Sequence, residues 1–286
     1  MRGGLSTLVW VLSPLRRNRK FVVGTAVFAS IVVSALVGRC LVPYDPLLGL
    51  FPPNRPPGPG HPLGVDALGR DILAQLFMAI VQSLEIGLTV AFLGTFIGSL
   101  MGFVAGYFGG LVDHVLRGLI DLFITIPMLP ILILIAASVR TLDVGTMVLI
   151  LSMFAWAVPA RQVRAQTLSL KEREFVYMAK LSGMGGLEII TFEIMPHMLL
   201  WMGANFVNAT LWAIRTEVSL AILGLGPQNT ATLGMMIYWA MLYAAVVTGR
   251  WWWWAPPIVA LIAIFLSLYL IYAGLDEVFN PRLRRE

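Results

Sequence analysis

Apolar runs long enough to cross a lipid bilayer alternate with short polar stretches along this chain. A spanning helix needs roughly 17–25 mostly apolar residues. Residues 21–38, 86–105, 122–139, 144–160, 199–225 and 255–273 each offer such a run, and the pattern predicts six transmembrane helices. The fifth run is interrupted by Arg215 and Glu217. A further apolar stretch, 233–247, is about half a bilayer long, which predicts a re-entrant or interfacial element rather than a seventh span. After the first run, the prolines and glycines of "PYDPLLGLFPPNRPPGPGHPLG" forbid long regular structure until about Val65. "DALGRDILAQLFMAI" then reads as an amphipathic helix capped by Asp66 and lying at the outer membrane face. "GYFGGLVDHVLRG" reads as a tight turn before the third run.

Composition agrees with lipid as the main solvent. The 286 residues are 58% hydrophobic and 12% charged, more apolar surface than a soluble domain of this length could hide. The single cysteine, Cys40, excludes an intrachain disulfide framework. A net charge of +5 would suit nucleic acid only if it formed one basic face, and here the charges cluster at the ends of the apolar runs. "LRRNRK" precedes the first run and no small-residue cleavage pattern follows it, so the first span is expected to be uncleaved. With a cytoplasmic N-terminus, segment 1–20, loop 161–193, the "NPRLRRE" tail and Arg117 hold 14 of the 20 basic residues. Arg39, Arg55, Arg70, Arg140 and Arg250 fall in the outer loops. This bias predicts that both termini are cytoplasmic.

Four features bear on function. Gly94, Gly98, Gly102 and Gly106 recur every fourth residue in the second run, so they share one helix stripe. Such a stripe lets another helix approach closely, the ordinary reading, or could border a substrate groove. Arg215 and Glu217, two residues apart on a helix, point in different directions and cannot pair with each other. Charges at membrane depth face a bundle interior or a watery path, so both are candidates for gating or for the translocation path. An unwound segment near the surface is the other possibility for them. The four tryptophans of "RWWWWAPP" would fan around a helix about 100° apart, which favours interfacial anchoring over a single ligand platform. Finally, catalytic signatures are missing. No phosphate-cradling G-x-x-x-x-G-K-[ST] run occurs, and His61, His114 and His197 are scattered without a metal-ligand cluster. No nucleophile–base set can be assembled, so neither a catalytic site nor a metal site is expected in this chain.

The segment "SLKEREFVYMAKLSGMGGLEIITFEIMP" breaks the apolar monotony. It predicts a short helix starting near Ser169, with Glu172 and Glu174 early, Lys180 late and Gly183 as its C-cap. Phe175, Met178, Ala179 and Ser182 would share a face with the small Ala179 at its centre. That face suits a protein partner better than a bilayer surface, which normally attracts a larger and more basic helix.

This segment resembles the cytoplasmic coupling motif of ABC-importer permeases. "HPLGVDALGRD", "AGYFGGLVDHVLRGLIDLFITIP", "ARQVRAQTLSLKEREFV", "EVSLAILGLG" and "NPRLR" resemble, in order, motifs of the second permease of peptide/nickel-type importers. The resemblance covers nearly the whole chain. It implies an all-α polytopic membrane protein with the six-helix type I ABC-importer permease fold, N-in and C-in. The implied organisation is a tail at 1–20, a first transmembrane helix at 21–42 and an extracytoplasmic loop at 43–80. A permease core follows at 81–275, with a coupling loop at 161–196 and an outer re-entrant segment at 227–250, and a tail closes the chain at 276–286.

Carried over by position, the resemblance assigns ATPase docking to Glu174, Phe175, Tyr177, Met178, Ala179, Lys180 and Gly183. Ala179 matches the second alanine of the motif and Gly183 its glycine, with Ile194 and Pro196 as the closing pair. Tyr177 and Met178 stand where glutamate and the first alanine are usual. Glu217 matches the acidic residue preceding the glycine-rich stretch. The implied partners are a similar but non-identical permease, two cytosolic ATPase subunits, a solute-binding protein and lipid, with no nucleic acid. No cofactor is expected in this chain, ATP and Mg²⁺ being bound by the ATPases, and the location is the cell membrane of a bacterium or archaeon. Peptides are the expected cargo, oligosaccharides or nickel chelates the alternatives. An ion or solute channel lined by the fifth span is the rival from another class. On this reading, Ala179→Asp or Gly183→Trp would leave an intact protein that no longer couples transport to ATP hydrolysis.

Overall fold

The computed structural model describes residues 15–279. Every regular element among the described residues is helical. Ten are numbered here: α1 (Arg19–Leu41), α2 (Ile72–Phe108), α3 (Gly110–Thr125), α4 (Met128–Ser138), α5 (Val144–Ala155), α6 (Ala157–Leu170), α7 (Glu174–Leu181), α8 (Met195–Ile222), α9 (Leu233–Leu242) and α10 (Trp251–Phe279). Four helical stretches are long and apolar enough to cross a membrane: α1, α2, the continuous α5–α6 and α10. The pair α3 and α4, bent by 79°, makes a fifth candidate. The basic tail segments 1–14 and 280–286 lie outside the described residues.

Local chemistry explains where the helices begin and break. Asp143 Oδ1 accepts the Thr146 amide at 2.7 Å and starts α5. Ile126 precedes Pro127 and is therefore driven into an extended conformation (ψ 128°), which separates α3 from α4. Gly109 and Gly110 both adopt positive φ and turn the chain from α2 into α3. The tight turn is thus confined to these two residues, and "GLVDHVLRG" is helix rather than turn. Before α8, Ile189–Ile194 is wound as a π-helix. Pro196 cannot donate to Phe192 and would press on its carbonyl, so the wider turn relieves the clash.

Two sequence expectations shift at the first loop. The amphipathic helix expected after Val65 is the opening part of α2, one continuous 37-residue helix about 55 Å long. Its cap is Asp71, whose Oδ1 accepts the Ala74 amide at 2.9 Å, not Asp66. Asp66 is instead fully buried in the loop before it.

The helices meet around three apolar clusters. One joins α1, the start of α2, α8, α9 and α10 through residues such as Ile80, Ile214, Met236 and Trp253. A second packs α4 and α5 on α2 and α8 around Leu132, Leu151 and Leu220. A third, at the far end of α2, gathers Phe103, Val163, Val176, Ile189 and Met198. The start of α1 and the end of α10 lie side by side, because Asn18 Nδ2 donates to Glu277 at 2.8 Å and Lys20 pairs with the same carboxylate. One end of the bundle carries the 43–71 loop and α9, and the other carries α7 with the start of α1 and the end of α10. These are called the loop end and the α7 end below.

Candidate translocation groove and coupling helix

The glycine stripe fixes the central helix pair. A Cβ on Gly94 would sit 2.6 Å from Ala155, and one on Gly98 would sit 2.5 Å from the Trp156 carbonyl. On Gly102 it would meet the Ala160 carbonyl at 2.7 Å, and on Gly106 the Thr167 side chain at 2.7 Å. All four glycines thus lie against α5–α6 at backbone distance, and any larger side chain would push the helices apart. Helix α8 packs on α2 and α10 beside this pair.

Along α8, Trp201, Asn205, Asn208, Trp212 and Arg215 are spaced alternately by four and three residues and so share one stripe. Three recesses follow that stripe and share its residues. The first, about 240 Å³, lies between Trp201, Asn205, Gln162 and Tyr272. The second, about 190 Å³, is bounded by Phe123, Met128 and Phe154 and is entered by Asn205, Asn208 and Trp212. The third, about 380 Å³, lies between Asn208, Trp212, Arg215, Phe265 and Tyr269. Together they form a groove along α8, with Asn205, Asn208 and Arg215 in line along it. It is mainly apolar in the second and third recesses and polar in the first, where Gln162, Gln166 and Asp276 surround Asn205. Sequence reasoning missed this stripe except for Arg215. Its signal was present as the three–four spacing of Trp and Asn within an apolar run.

The two charges of α8 have different fates. Glu217 is fully buried, and its Oε1 accepts a 2.6 Å hydrogen bond from Thr232 Oγ1. Thr232 also caps α9, accepting the Met235 amide at 3.2 Å, and the next amide, Leu233, donates to Ser83 Oγ on α2 at 3.0 Å. Gly234 permits this seat, since its Cβ would lie 2.9 Å from the Val218 Cα. Glu217 therefore pins α9, 10 residues or about 15 Å long, between α8, α10 and α2. Arg215 points the other way, is exposed, and joins no ion pair among the described residues.

At the α7 end, the helix expected from Ser169 divides. α6 runs to Leu170, and α7 begins at Glu174 with Arg173 as its cap residue. Gly183, at φ 82°, ends α7 in a Schellman motif, with Met184 N–H donating to the Ala179 carbonyl at 3.2 Å and Gly183 N–H to Lys180 at 3.0 Å. The inward face consists of Val176 and Ala179, both buried in the third cluster, while Phe175 stacks on His197 at 4.6 Å. Ala179 is thus turned toward its own chain instead of standing at the centre of an outward face. The outward face carries Tyr177, Met178 and Leu181, exposed by 49%, 63% and 83%. Glu174 and Lys180 are also exposed, and the Lys180 ammonium lies over the rings of Tyr177 (5.2 Å) and Tyr107 (5.9 Å). The Tyr177 hydroxyl donates to Glu172 at 2.9 Å, and that bond to a carboxylate raises the phenol's pKa. Nearby, Arg164 of α6 and Asp113 of α3 form a forked pair, with Nη2–Oδ2 at 2.6 Å.

The tryptophan run fans out: Trp251 is exposed, whereas Trp253 is buried against Tyr243. No three His, Cys, Asp or Glu side chains converge as metal donors among the described residues.

A glycine-keyed helical bundle with several helices long and apolar enough to cross a membrane is the architecture of a multi-pass membrane protein. The chain belongs to the family described as binding-protein-dependent transport system inner membrane component, which matches residues 94–285. Family membership makes it a permease component, distinct from the ATPase of such a system. It is 31% identical over 224 residues to the oligopeptide transport system permease protein OppC of Mycobacterium tuberculosis, covering 77% of each chain. It is 30% identical over 282 residues to the dipeptide transport system permease protein DppC of Bacillus subtilis, covering 95% of this chain and 84% of that one.

Proposed function

We propose that this chain forms half of the translocation path of an ATP-driven peptide importer. The observation that carries the reading is the groove along α8, bordered by residues 154–162 of the glycine-keyed α5–α6 and by Phe265 and Tyr269 of α10, and open on its remaining side. A second, non-identical permease would close that side. The naming of two relatives as oligopeptide and dipeptide permeases supports peptides as cargo. In this reading α8 is the sixth crossing, with α1, α2, α3–α4, α5–α6 and α10, and α9 is the outer re-entrant element. The adjacency of the α1 start and the α10 end supports an even number of crossings, and the basic bias of the sequence makes their shared side the cytoplasmic one in this reading.

The coupling surface in this reading is the outward face of α7. Tyr177, Met178 and Leu181 enter a groove of the cytosolic ATPase, and Glu174 and Lys180 flank them. Phe175, Val176, Ala179 and Gly183 hold that face in position from within. Two such ATPases bind ATP and Mg²⁺, and a solute-binding protein delivers cargo at the loop end, in the cell membrane of a bacterium or archaeon. The test is ATP-dependent uptake of labelled di- and oligopeptides by the complete transporter in proteoliposomes. Uptake that needs ATP and the binding protein supports the reading. Passive flux through this chain without ATPase subunits would sink it.

A further inference from the structure

We propose that Arg215 receives the free carboxylate of a peptide as it passes along the α8 groove. The inference deepens the peptide-importer reading and rests on it. Guanidinium does not lose its proton in proteins, so unlike a lysine it cannot adapt to an apolar setting by becoming neutral. It must find an anion or water. α8 supplies no anion, because Glu217 is turned to the opposite side and is engaged by Thr232. The recess around Arg215 offers none either. Its walls are Asn208, Leu211, Trp212, Phe265 and Tyr269, with no acidic side chain among them.

That lining has an excess of hydrogen-bond donors. The guanidinium brings five N–H groups, and the Asn208 amide, the Tyr269 hydroxyl and the Trp212 indole can each donate as well. A carboxylate is the complementary ligand, since it only accepts and fits the planar fork of arginine through two parallel hydrogen bonds. The aromatic rings beside it suit the side chain attached to that carboxylate. Position also fits. Arg215 lies about 10 Å from the α9-proximal end of α8, and Asn208 and Trp212 connect its recess to the deeper one. An incoming peptide would meet the guanidinium before the amide line. The open recess favours brief contact, as a path requires, over tight retention.

The experiment uses the complete transporter with its binding protein in proteoliposomes. Initial uptake rates are measured for a peptide with a free C-terminus and for the same peptide as its C-terminal amide. The quantity read is the preference for acid over amide in a variant relative to wild type, which cancels the binding protein's own selectivity. Losing one charged, forked contact should reduce that preference about tenfold in Arg215→Gln, with Arg215→Lys in between. An unchanged preference, or equal loss of both peptides, overturns the proposal. Equal loss is also what an ion pair with the partner permease would give. Absence of uptake of either peptide by wild type would instead overturn the peptide reading itself.

Photocrosslinking supplies a second readout. A benzophenone on the last residue of the free-acid peptide should label α8 within a turn of Arg215, and this labelling should be lost selectively in Arg215→Gln. Labelling that persists in the variant, or occurs only elsewhere in the groove, argues against the assignment.

Discussion

At the loop end, Asp66 is fully buried and accepts four hydrogen bonds, from the Leu68 and Arg70 amides, Arg70 Nε and Gln75 Nε2. At the α7 end, by contrast, Met178 and Leu181 project from a short helix and are covered by nothing among the described residues. The loop end continues its closure outward. His61 meets Asp71 at 2.6 Å, Arg70 lies 5.5 Å from the Trp239 ring, and Arg250 donates to Asn54 at 2.6 Å. An irregular 43–71 segment can remain ordered only if its backbone and charges are satisfied from within. The α7 end needs no such closure, because a two-sided helix keys one face into the bundle and keeps the other for a partner. The contrast separates residues that hold this protein together from residues that connect it to others.

Breaking the loop-end knot should have the largest effect. Asp66→Ala leaves the Arg70 guanidinium buried without its counter-charge, which costs about 3–5 kcal/mol. The 43–71 segment should become susceptible to limited proteolysis, whereas α7 should keep its hydrogen-exchange protection.

Ala179→Asp comes next. The side chain enters the third cluster, so an uncompensated charge there costs roughly 3 kcal/mol. Exchange protection at Val176 and Ile189 should fall in step. An intact, normally protected α7 in this variant would show that Ala179 faces outward after all.

Smaller effects belong to the α8–α9 seat. Thr232→Val removes the hydrogen bond to Glu217 and the cap of α9, a loss of about 1–3 kcal/mol. Glu217→Gln keeps an acceptor for Thr232 and should cost less. Thermal unfolding of the purified chain would rank the two, and the reverse order would show that the Glu217 carboxylate holds the seat through more than its bond to Thr232.

The least stability should be lost on the outward face of α7. Met178→Ala and Leu181→Ala remove exposed groups and should alter stability by no more than about 0.5 kcal/mol. In the complete transporter the same changes should lower coupled ATP hydrolysis about tenfold, as expected for anchors at an interface. Normal coupling in both variants would leave this face without a partner and erase the contrast between the two ends.

Much of the organisation was legible in the sequence because it follows from local rules. Apolar runs predicted the long apolar helices α1, α2, α5–α6 and α10, and Gly183 predicted the end of α7. The run at 122–139 is instead broken before α4, α8 is not among the candidate spans, and the 233–247 run forms a helix of only 10 residues. A four-residue period placed the four glycines on one face without reference to any other helix. The placement of Asp66 in the loop and Asp71 at the cap was not legible, since both carboxylates suit either position. Only the contacts with Arg70, Gln75 and His61 separate them.

The limit has one physical cause. Helical periodicity fixes the directions of side chains relative to one another, but not which direction meets the rest of the molecule. The sequence by itself determined that Arg215 and Glu217 diverge, and that α7 has two unlike faces. Tertiary structure alone decided that Glu217 turns toward Thr232 and Arg215 toward the groove, and that Ala179 packs inward while Met178 faces out. Those choices depend on residues such as Ser83, Phe103 and Thr232, brought alongside by packing between helices distant in the chain.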